Sequence, residues 1–197
     1  KFTSVAAQAG IDHIGWGMGV TAVDYNGDGH VDLYLSNYGV NALYRNNGDG
    51  TFSAVAERAG VGFSGWSSAA AFADYDGDGD LDFYLTNYID FDPDYVPADM
   101  SFCSWRGISV FYGPRGMPGE EDRFYRNDGA SNGWSFTEAS REFGLQGHDY
   151  YGFAAMAGDY DNDGDQDIYI ANDSTPNSLY RNDGGHFTDV SLITASA

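Results

Sequence analysis

The sequence repeats itself at an interval of about fifty residues, and this period constrains the fold more than any other feature. A segment that begins with Phe and ends with Gly occupies 2–10, 52–60 and 136–144, and a fourth copy starts at Phe187. Between these segments lie three acidic stretches: DYNGDGHVD at 24–32, DYDGDGDLD at 74–82 and DYDNDGDQD at 159–167. Because each unit is too short to bury a core alone, we expect the units to stack into a single repeat domain over 1–197.

The repeats are unequal in length. We place repeat one at 2–51, repeat two at 52–135, repeat three at 136–186 and a terminal strand at 187–197. The second repeat carries an insertion at about 89–120, which holds four of the five prolines. A long loop without a pattern of its own is commonly functional, and its aromatic residues and arginines suit a contact surface for a protein partner or a glycan.

Each repeat has the sequence pattern of four short strands. Residues 67–73 are small and apolar, residues 81–87 alternate and are rich in β-formers, and residues 122–127 follow the same pattern. The segments that begin at Phe52 and Phe136 supply a fourth strand, after turns rich in Asn, Asp and Gly. Four strands in about fifty residues match a β-propeller blade. We therefore predict an all-β fold of four-stranded antiparallel blades, with three blades and an extra N-terminal strand.

The acidic stretches place oxygen-bearing side chains at alternate positions, with a glycine at the sixth position where a sharp turn requires a positive φ. The acid at the ninth position (the fifth odd position) completes the predicted ligand set of each loop. The residue at the seventh position (the fourth odd position) can offer its backbone carbonyl. The predicted ligands are Asp24, Asn26, Asp28, His30 and Asp32 in the first loop; Asp74, Asp76, Asp78, Asp80 and Asp82 in the second; and Asp159, Asp161, Asp163, Asp165 and Asp167 in the third.

This ligand set favours Ca²⁺, which takes six to eight oxygens, over transition metals, which prefer nitrogen and sulfur. The loops are not EF-hands, because Leu35, Leu85 and Ile170 stand where an EF-hand needs a bidentate Glu. An Asp/Gly-rich hairpin without metal is the alternative. Three such loops in register argue against it, because four or five unneutralised carboxylates in nine residues repel one another strongly. We predict three structural Ca²⁺ sites.

The charge of the chain excludes several kinds of partner. It carries 30 Asp and Glu against 9 Lys and Arg, a formal net charge of −21. Nucleic acid and anionic membrane surfaces both require clustered basic residues, so neither is expected as a partner. No apolar run approaches the ~18 residues that membrane insertion needs. Thirteen of the acids lie in the three loops, so the predicted metal ligands account for much of the negative charge.

The motifs resemble FG-GAP/VCBS repeats, which have F-x-[DE]-V, W-x-x-A-A-x-x-D-Y-D-G-D-G-D-L-D-L-Y-L-x-N and L-Y-R-N-x-G-D-G-x-F as successive segments. The resemblance covers nearly the whole chain and is strongest to the cartilage-acidic-protein and UnbV-like group, with integrin α-subunit heads as more distant examples. It implies a Ca²⁺-binding propeller, with the ion between the first two strands of each blade, and an extracellular, periplasmic or cell-surface setting. In the first loop Asn26 departs from the family's Asp.

The number of repeats leaves two alternatives open, because propellers of this kind usually close with about seven blades. The chain is either a fragment of a longer propeller or a subunit that is completed by its neighbours. In the second case the strand over Phe2–Val5 would add to the sheet edge of another copy and produce head-to-tail assembly, a ring or a filament. The state of the single cysteine, Cys103, is likewise open: a free thiol, a buried thiol or a disulfide between chains.

Other residues recur in register. Trp16, Trp66 and Tyr151 precede the loops by eight residues, and we interpret them as blade packing, with an aromatic platform for sugars or a peptide as the alternative. Repeated arginines (Arg45, Arg126, Arg181) are expected to pair with a buried carboxylate or to cap strand carbonyls, and repeated asparagines (Asn37, Asn87, Asn172) to form turns. Asp90, Asp92 and Asp94 are a weaker cation candidate, and Asn172 begins an Asn-Asp-Ser glycosylation sequon.

The sequence shows no motif of an established catalytic class, such as GxSxG, a P-loop or GxGxxG. We therefore expect a secreted calcium-binding repeat protein for adhesion, extracellular matrix or surface assembly, and not an enzyme. Its partner would be a protein, a glycan or another copy of the chain. The alternative is the propeller scaffold of a polysaccharide-acting lyase or hydrolase, or a glycan-binding module.

Overall fold

The computed structural model describes residues 1–95, 104–110, 113–146 and 149–196. In this part of the chain nearly all regular structure is antiparallel β-sheet, as the repeat predicts. Three groups of four strands follow one another along the chain, and each group has the size predicted for one propeller blade. The all-β, propeller-like fold predicted from the sequence is confirmed.

Blade one contains β1 (Trp16–Val23), β2 (Asp32–Val40), β3 (Ala42–Asn46) and β4 (Phe52–Ala54). Neighbouring strands pair in chain order, with Val23 opposite Asp32 beside the first acidic loop. One helical turn, α1 (Ala56–Ala59), follows β4 and ends at Gly60, whose φ of 77° lies in the left-handed region that glycine tolerates best.

Blade two is interrupted by the insertion, which contains a small hairpin. In chain order the strands are β5 (Ser64–Ala73), β6 (Asp82–Asn87), the hairpin β7 (Ser104–Trp105) and β8 (Ile108–Ser109), then β9 (Arg123–Asn127) and β10 (Phe136–Glu138). The blade order is β5-β6-β9-β10, so the insertion lies between its second and third strands. The ends of β2 and β5 also pair, Tyr38 with Trp66, and this joins blades one and two in one sheet.

Blade three contains β11 (Gly152–Gly158), β12 (Asp167–Asn172), β13 (Ser178–Asn182) and β14 (Phe187–Asp189), followed by the helical turn α2 (Ser191–Thr194). Its strands pair in chain order. Every blade closes with the Phe strand that begins the next sequence repeat, so the structural unit is offset from the sequence repeat by one strand.

The hydrophobic core lies between consecutive blades. Between blades one and two, Tyr25, Tyr34 and Leu43 pack against Phe83, Leu85 and neighbouring residues. Between blades two and three the equivalent positions repeat the arrangement. This second core contains Tyr75, Tyr84 and Phe124 from blade two and Ile168, Ile170, Tyr180 and Phe187 from blade three. Each blade is therefore stabilised by its neighbours, as stacked repeats require.

The expected N-terminal strand is not formed. Residues 1–5 have no strand pairing in the structure, and Phe2 is fully exposed. Within the chain it has no free partner, because the third strand of each described blade already pairs with its own fourth strand. The predicted pairing of this segment with another copy stays a prediction. The turn after it does dock, because the backbone N–H of Phe52 donates to the carbonyl of Ala9 at 2.7 Å.

The blades expose two different edges. The acidic loops lie where first strands end, together with the turns between third and fourth strands; we call this the acidic edge. The aromatic residues that begin the first strands lie at the other end, with the insertion; we call this the aromatic edge. Among the described residues, no helix has the length and apolar character needed to cross a bilayer.

Candidate metal centres

The three acidic loops are hairpin turns that join the first and second strands of each blade. The glycine at the sixth position adopts a positive φ in all three: 86° at Gly29, 94° at Gly79 and 104° at Gly164. A Cβ at any of these positions would be strained by the backbone conformation, although no atom lies within 4 Å of it. The glycines predicted from the sequence therefore do turn the chain sharply inside each loop.

The first acid of each loop organises the turn through backbone hydrogen bonds. The Oδ2 atom of Asp24 accepts from Gly29 N at 2.8 Å, and Asp74 and Asp159 accept from Gly79 N and Gly164 N at 3.1 Å. The acid at the fifth position of the loop then accepts from the backbone N–H two residues later; for example, His30 N donates to Asp28 Oδ1 at 2.9 Å. These bonds curl the loop so that the acidic side chains face a common centre.

Two loops bring at least three carboxylates together. One oxygen from each of Asp74, Asp76 and Asp78 lies within 4.8 Å of the others, and the same holds for Asp159, Asp161 and Asp167. Oxygens that share one Ca²⁺ at 2.3–2.6 Å lie within about 5 Å of one another, so the spacing fits this ion. In the first loop the aspartates are not gathered so closely, and the Nδ2 atom of Asn26 donates to Asp28 Oδ2 at 3.1 Å.

The closing acid of each loop is buried and ties the hairpin to the third strand. Asp32, Asp82 and Asp167 are at most 1% exposed. Asp82 Oδ2 accepts from Tyr75 N at 3.1 Å and Oδ1 from Asn127 N at 2.8 Å. Asp32 and Asp167 accept from the equivalent backbone donors. A cation bound to this carboxylate would therefore be coupled to three strands at once.

Desolvation, with a further contribution from neighbouring carboxylates, raises the pKa of several loop acids. Desolvation raises the pKa of Asp82 to about 7, and Asp76 and Asp78 add to the effect through their charges. Desolvation likewise raises the pKa of Asp32, Asp76 and Asp161, with a contribution from neighbouring acids in the same loop. Holding these groups ionised together is costly, and a divalent cation at their centre would remove that cost.

At the fourth odd position the side chain points away from the other acids, as expected for a residue that offers its carbonyl. Asp165 Oδ2 accepts from Gly184 N at 2.8 Å, in the turn between β13 and β14. Asp80 lies against Gly129 and His30 against Gly48, at the same place in the other blades. These three side chains thus brace the neighbouring turn.

The sequence reasoning missed one set of residues at these centres: Asn46, Asn127 and Asn182, at the end of each third strand. The Nδ2 atom of Asn127 donates to Leu81 O in its own loop and to Tyr25 O in the previous blade, both at 3.1 Å. Asn182 repeats this with Gln166 O and Tyr75 O. The signal was present, because Tyr-Arg-Asn recurs in every repeat. Asn127 and Asn182 therefore connect adjacent loops across the blade interface.

The other repeated residues lie at both edges: the asparagines at the ends of second strands are at the aromatic edge, and the arginines near the ends of third strands are at the acidic edge. The carboxamides of Asn37, Asn87 and Asn172 donate to carbonyls in the following turn, as predicted. Arg126 and Arg181 pair with Asp128, Glu142 and Asp183, which are not buried. Trp66 and Tyr151 pack among other rings, whereas Trp16 is 76% exposed. His148 and Cys103 lie outside the described residues, and Asp90, Asp92 and Asp94 form no metal cluster in the described part.

Blades two and three also enclose a polar cavity of about 90 Å³, which no sequence motif indicated. Its wall includes Tyr84, Asp122, Glu138, Asn172 and Tyr180. Asp122 accepts from Asn87 N at 2.7 Å and from Tyr84 Oη at 2.9 Å. Desolvation raises the pKa of Asp122 to about 7, while these two hydrogen bonds oppose the shift.

Comparison with known proteins gives one family match. The model of the FG-GAP-like repeat matches residues 24–85 and 159–197, which include all three acidic loops. No curated protein matches the chain significantly. Among solved structures, a lectin from Agrocybe aegerita that recognises non-reducing terminal N-acetylglucosamine aligns over 85% of this chain, with 17% identity and a TM-score of 0.41. The chain spans about a third of that lectin, 36% of its length.

Proposed function

The chain belongs to the FG-GAP-like repeat family, and from this premise we propose that it is a calcium-binding structural module that works outside the cell. Its role would be in adhesion, extracellular matrix or surface assembly, with three Ca²⁺ ions holding the loops. The observation that supports this most is the clustering of carboxylate oxygens in the second and third loops, each set within 4.8 Å.

The bound ions would act by stabilising the array. Ca²⁺ would supply positive charge and hard coordination for the oxygens of each loop. The buried closing acids already bond to the third strand, and Asn127 and Asn182 reach across to the loop of the previous blade. A loop held in place by its ion would therefore also stabilise the interface with the neighbouring blade. Three ions would reduce the formal net charge from −21 to about −15, which would lower repulsion in the folded state.

Thermal unfolding with and without the ion tests this proposal. The chain, stripped with EDTA and dialysed, should gain at least ~5 °C in Tm in 2 mM CaCl₂, because a ligand that binds only the folded state stabilises it. The same concentration of MgCl₂ is the control and should have a much smaller effect, because Mg²⁺ retains its waters. Equal Tm values in EDTA and in CaCl₂ would contradict the proposal.

We propose a structural rather than a catalytic role, because the densest groups of carboxylates are those of the acidic loops, which suit a metal ion. The contrasting candidates remain a polysaccharide-acting enzyme and a glycan-binding module. Exposed rings at the aromatic edge, Tyr38, Phe91 and Phe153, favour a binding module over a catalytic one. Incubation with a panel of polysaccharides, followed by chromatography of the products, distinguishes them: release of shorter oligosaccharides would establish an enzyme.

Self-association would use the outer faces of the array. Tyr160 is 41% exposed on blade three, whereas the equivalent Tyr25 and Tyr75 are covered by the next blade. On blade one Leu33 and Leu35 are half-buried, whereas Phe83 and Leu85 are fully buried in the core. Light scattering over a range of protein concentrations tests this part of the proposal, and a monomer at every concentration would exclude it.

A further inference from the structure

Six aromatic residues at the aromatic edge form a continuous chain of rings, which we call the aromatic ridge: Tyr38, Trp66, Tyr88, Phe91, Tyr151 and Phe153. The Trp66 ring is the centre of one half, with ring centroids 5.1 Å from Tyr38, 5.5 Å from Tyr88 and 5.7 Å from Phe91. Tyr88 continues the chain to Tyr151 at 6.1 Å and Phe153 at 5.9 Å. The ridge therefore crosses from blade one to blade three.

Part of the ridge is open to solvent. Tyr38 is 36% exposed, Phe91 40% and Phe153 59%, while Trp66 and Tyr88 are half-buried and support them. Blade packing alone explains buried rings, but it does not explain exposed rings in contact with one another. Exposed contiguous aromatic surface of this kind marks a place where another molecule binds.

Carboxylates surround the ridge. Asp90 and Asp92 flank Phe91 in sequence and are exposed, as is Asp94, whose backbone N–H donates to Asp92 Oδ1 at 2.9 Å. Asp173 Oδ2 accepts from Tyr88 Oη at 2.7 Å, and Glu120 Oε2 accepts from Trp66 N at 2.8 Å. These groups are separate from the acidic loops, which lie at the opposite edge.

Arg123 is a cation near one end of the ridge. The charge of Arg123 acts on Glu120, and its guanidinium lies 3.9 Å from the centre of the Phe63 ring. The same packing of guanidinium on ring, beside a carboxylate, is the chemistry that the exposed part of the ridge offers to an incoming cation. Asp90, Asp92 and Asp94 remain in solvent, so this part of the ridge carries negative charge.

From this combination we infer that the aromatic ridge binds a basic segment of a partner polypeptide. Lysine or arginine side chains would lie over Tyr38, Phe91 and Phe153 by cation–π contact, with their charges matched by Asp90 and Asp92. The ridge reaches at most about 16.5 Å from Tyr38 to Phe153, the length of about five extended residues. A neutral sugar could stack on the rings but would leave the carboxylates unmatched, and an acidic glycan would be repelled.

This inference rests on the proposed role as a binding module and specifies its partner. The test uses the whole chain in 2 mM CaCl₂, so that the acidic loops are neutralised, and a capped decapeptide of alternating Arg and Gly. Calorimetric titration should detect binding that weakens as salt is raised. The double variant Tyr38→Ala/Phe91→Ala should weaken it about tenfold and Asp90→Asn/Asp92→Asn about fivefold.

Matched controls keep the test specific to the ridge. Val20→Ala/Met156→Ala removes exposed apolar side chains elsewhere, and Asp49→Asn/Asp183→Asn removes two exposed carboxylates from turns of the acidic edge. Neither should change the affinity more than about twofold. All these positions are exposed, so the variants should fold, and their Tm values in CaCl₂ and EDTA are measured on the same samples.

Two results would overturn the inference. One is peptide binding that is absent, or equal in the ridge and control variants. The other is binding of maltohexaose, a neutral oligosaccharide, that the Tyr38→Ala/Phe91→Ala variant abolishes, because the ridge would then be a glycan site. In either case a Ca²⁺-dependent Tm would leave the calcium proposal standing. A Tm that is the same in CaCl₂ and in EDTA, together with peptide binding that depends on the ridge, would overturn the calcium proposal and leave this inference standing.

Discussion

At the scale of single residues, the aspartates of the loops differ in role according to how deeply they are buried. In the second and third loops three carboxylates share a common centre, and the buried closing acid of each loop also accepts from backbone N–H groups of two segments. Departures from the repeat are the most informative positions. Asn26 replaces an acid in the first loop, and Asp122 replaces the amide that Asn41 and Asn177 supply at the equivalent position of the other blades.

Asn26→Asp should have opposite effects with and without Ca²⁺. The substitution removes the bond from Asn26 Nδ2 to Asp28 and adds a fourth carboxylate, so repulsion should lower the Tm in EDTA by a few degrees. In Ca²⁺ the additional charge should raise the affinity of the first site, by ~3- to 10-fold. Calorimetric titration and thermal unfolding measure the two effects. A variant with unchanged Ca²⁺ affinity would indicate that the first loop is not a site.

Asp122→Asn should stabilise the fold at neutral and alkaline pH. The pKa of Asp122 is raised to about 7 in the folded state, so the folded chain binds its proton more tightly than the unfolded chain. The stability linked to this proton is fully present below about pH 4 and is lost as the pH rises through 7. The neutral amide avoids that loss, by roughly 1–2 kcal/mol at pH 8.

The measurement for Asp122→Asn is urea unfolding of both proteins between pH 4 and pH 8. The difference in unfolding free energy should be small at pH 4 and should increase in favour of the variant up to about pH 8. A difference that does not vary with pH would show that Asp122 is ionised in both states.

At the scale of elements, each hairpin is stable because its loop, its third strand and the previous blade are bonded together. Asn127 shows this best, since its side chain bonds to two carbonyls in different blades and to Gly129 N. Asn46 occupies the same position in blade one, but in the described structure it bonds to Val31 O and Gly48 N without a cross-blade bond.

Asn127→Ala should therefore be more destabilising than Asn46→Ala. The loss of buried hydrogen bonds across the interface predicts about 2–4 kcal/mol for Asn127→Ala and about 1 kcal/mol for Asn46→Ala. Chemical unfolding in CaCl₂ compares the two, and Asn46→Ala is the internal control. Equal losses would mean that the cross-blade bond contributes nothing.

Most of the strands and loops could be predicted from the sequence, because strand alternation, the glycine in each loop and the strand that begins with Phe are local signals. The acids that form the loops were all predicted. The cross-blade role of Asn127 and Asn182 could not be, since a bond between residues about a hundred positions apart leaves no local pattern. The segment over Phe2–Val5 forms no strand within this chain, because each described third strand already pairs with its own fourth strand. Its pairing with the sheet edge of another copy stays a prediction.

At the scale of the whole molecule, the three stacked blades place the acidic loops and the exposed aromatic residues at opposite edges. Metal-binding groups gather at the acidic edge, and aromatic residues gather at the aromatic edge with the insertion. The formal charge of −21 would act on both: it would oppose folding while the loops hold no cation, and it would attract the proposed basic partner towards the aromatic ridge. Ca²⁺ would thus stabilise the fold at one edge while the other remains available for binding.

The most direct test of the account is the number of Ca²⁺ ions that one folded chain binds. Native mass spectrometry of the chain in Ca²⁺ should show three ions per chain, since each blade has one loop. Asp74→Asn/Asp76→Asn and Asp159→Asn/Asp161→Asn should each bind two, because both pairs belong to the oxygen clusters of single loops. A chain that binds no Ca²⁺, or that binds the same number after these substitutions, would contradict the central claim that the loops are calcium sites.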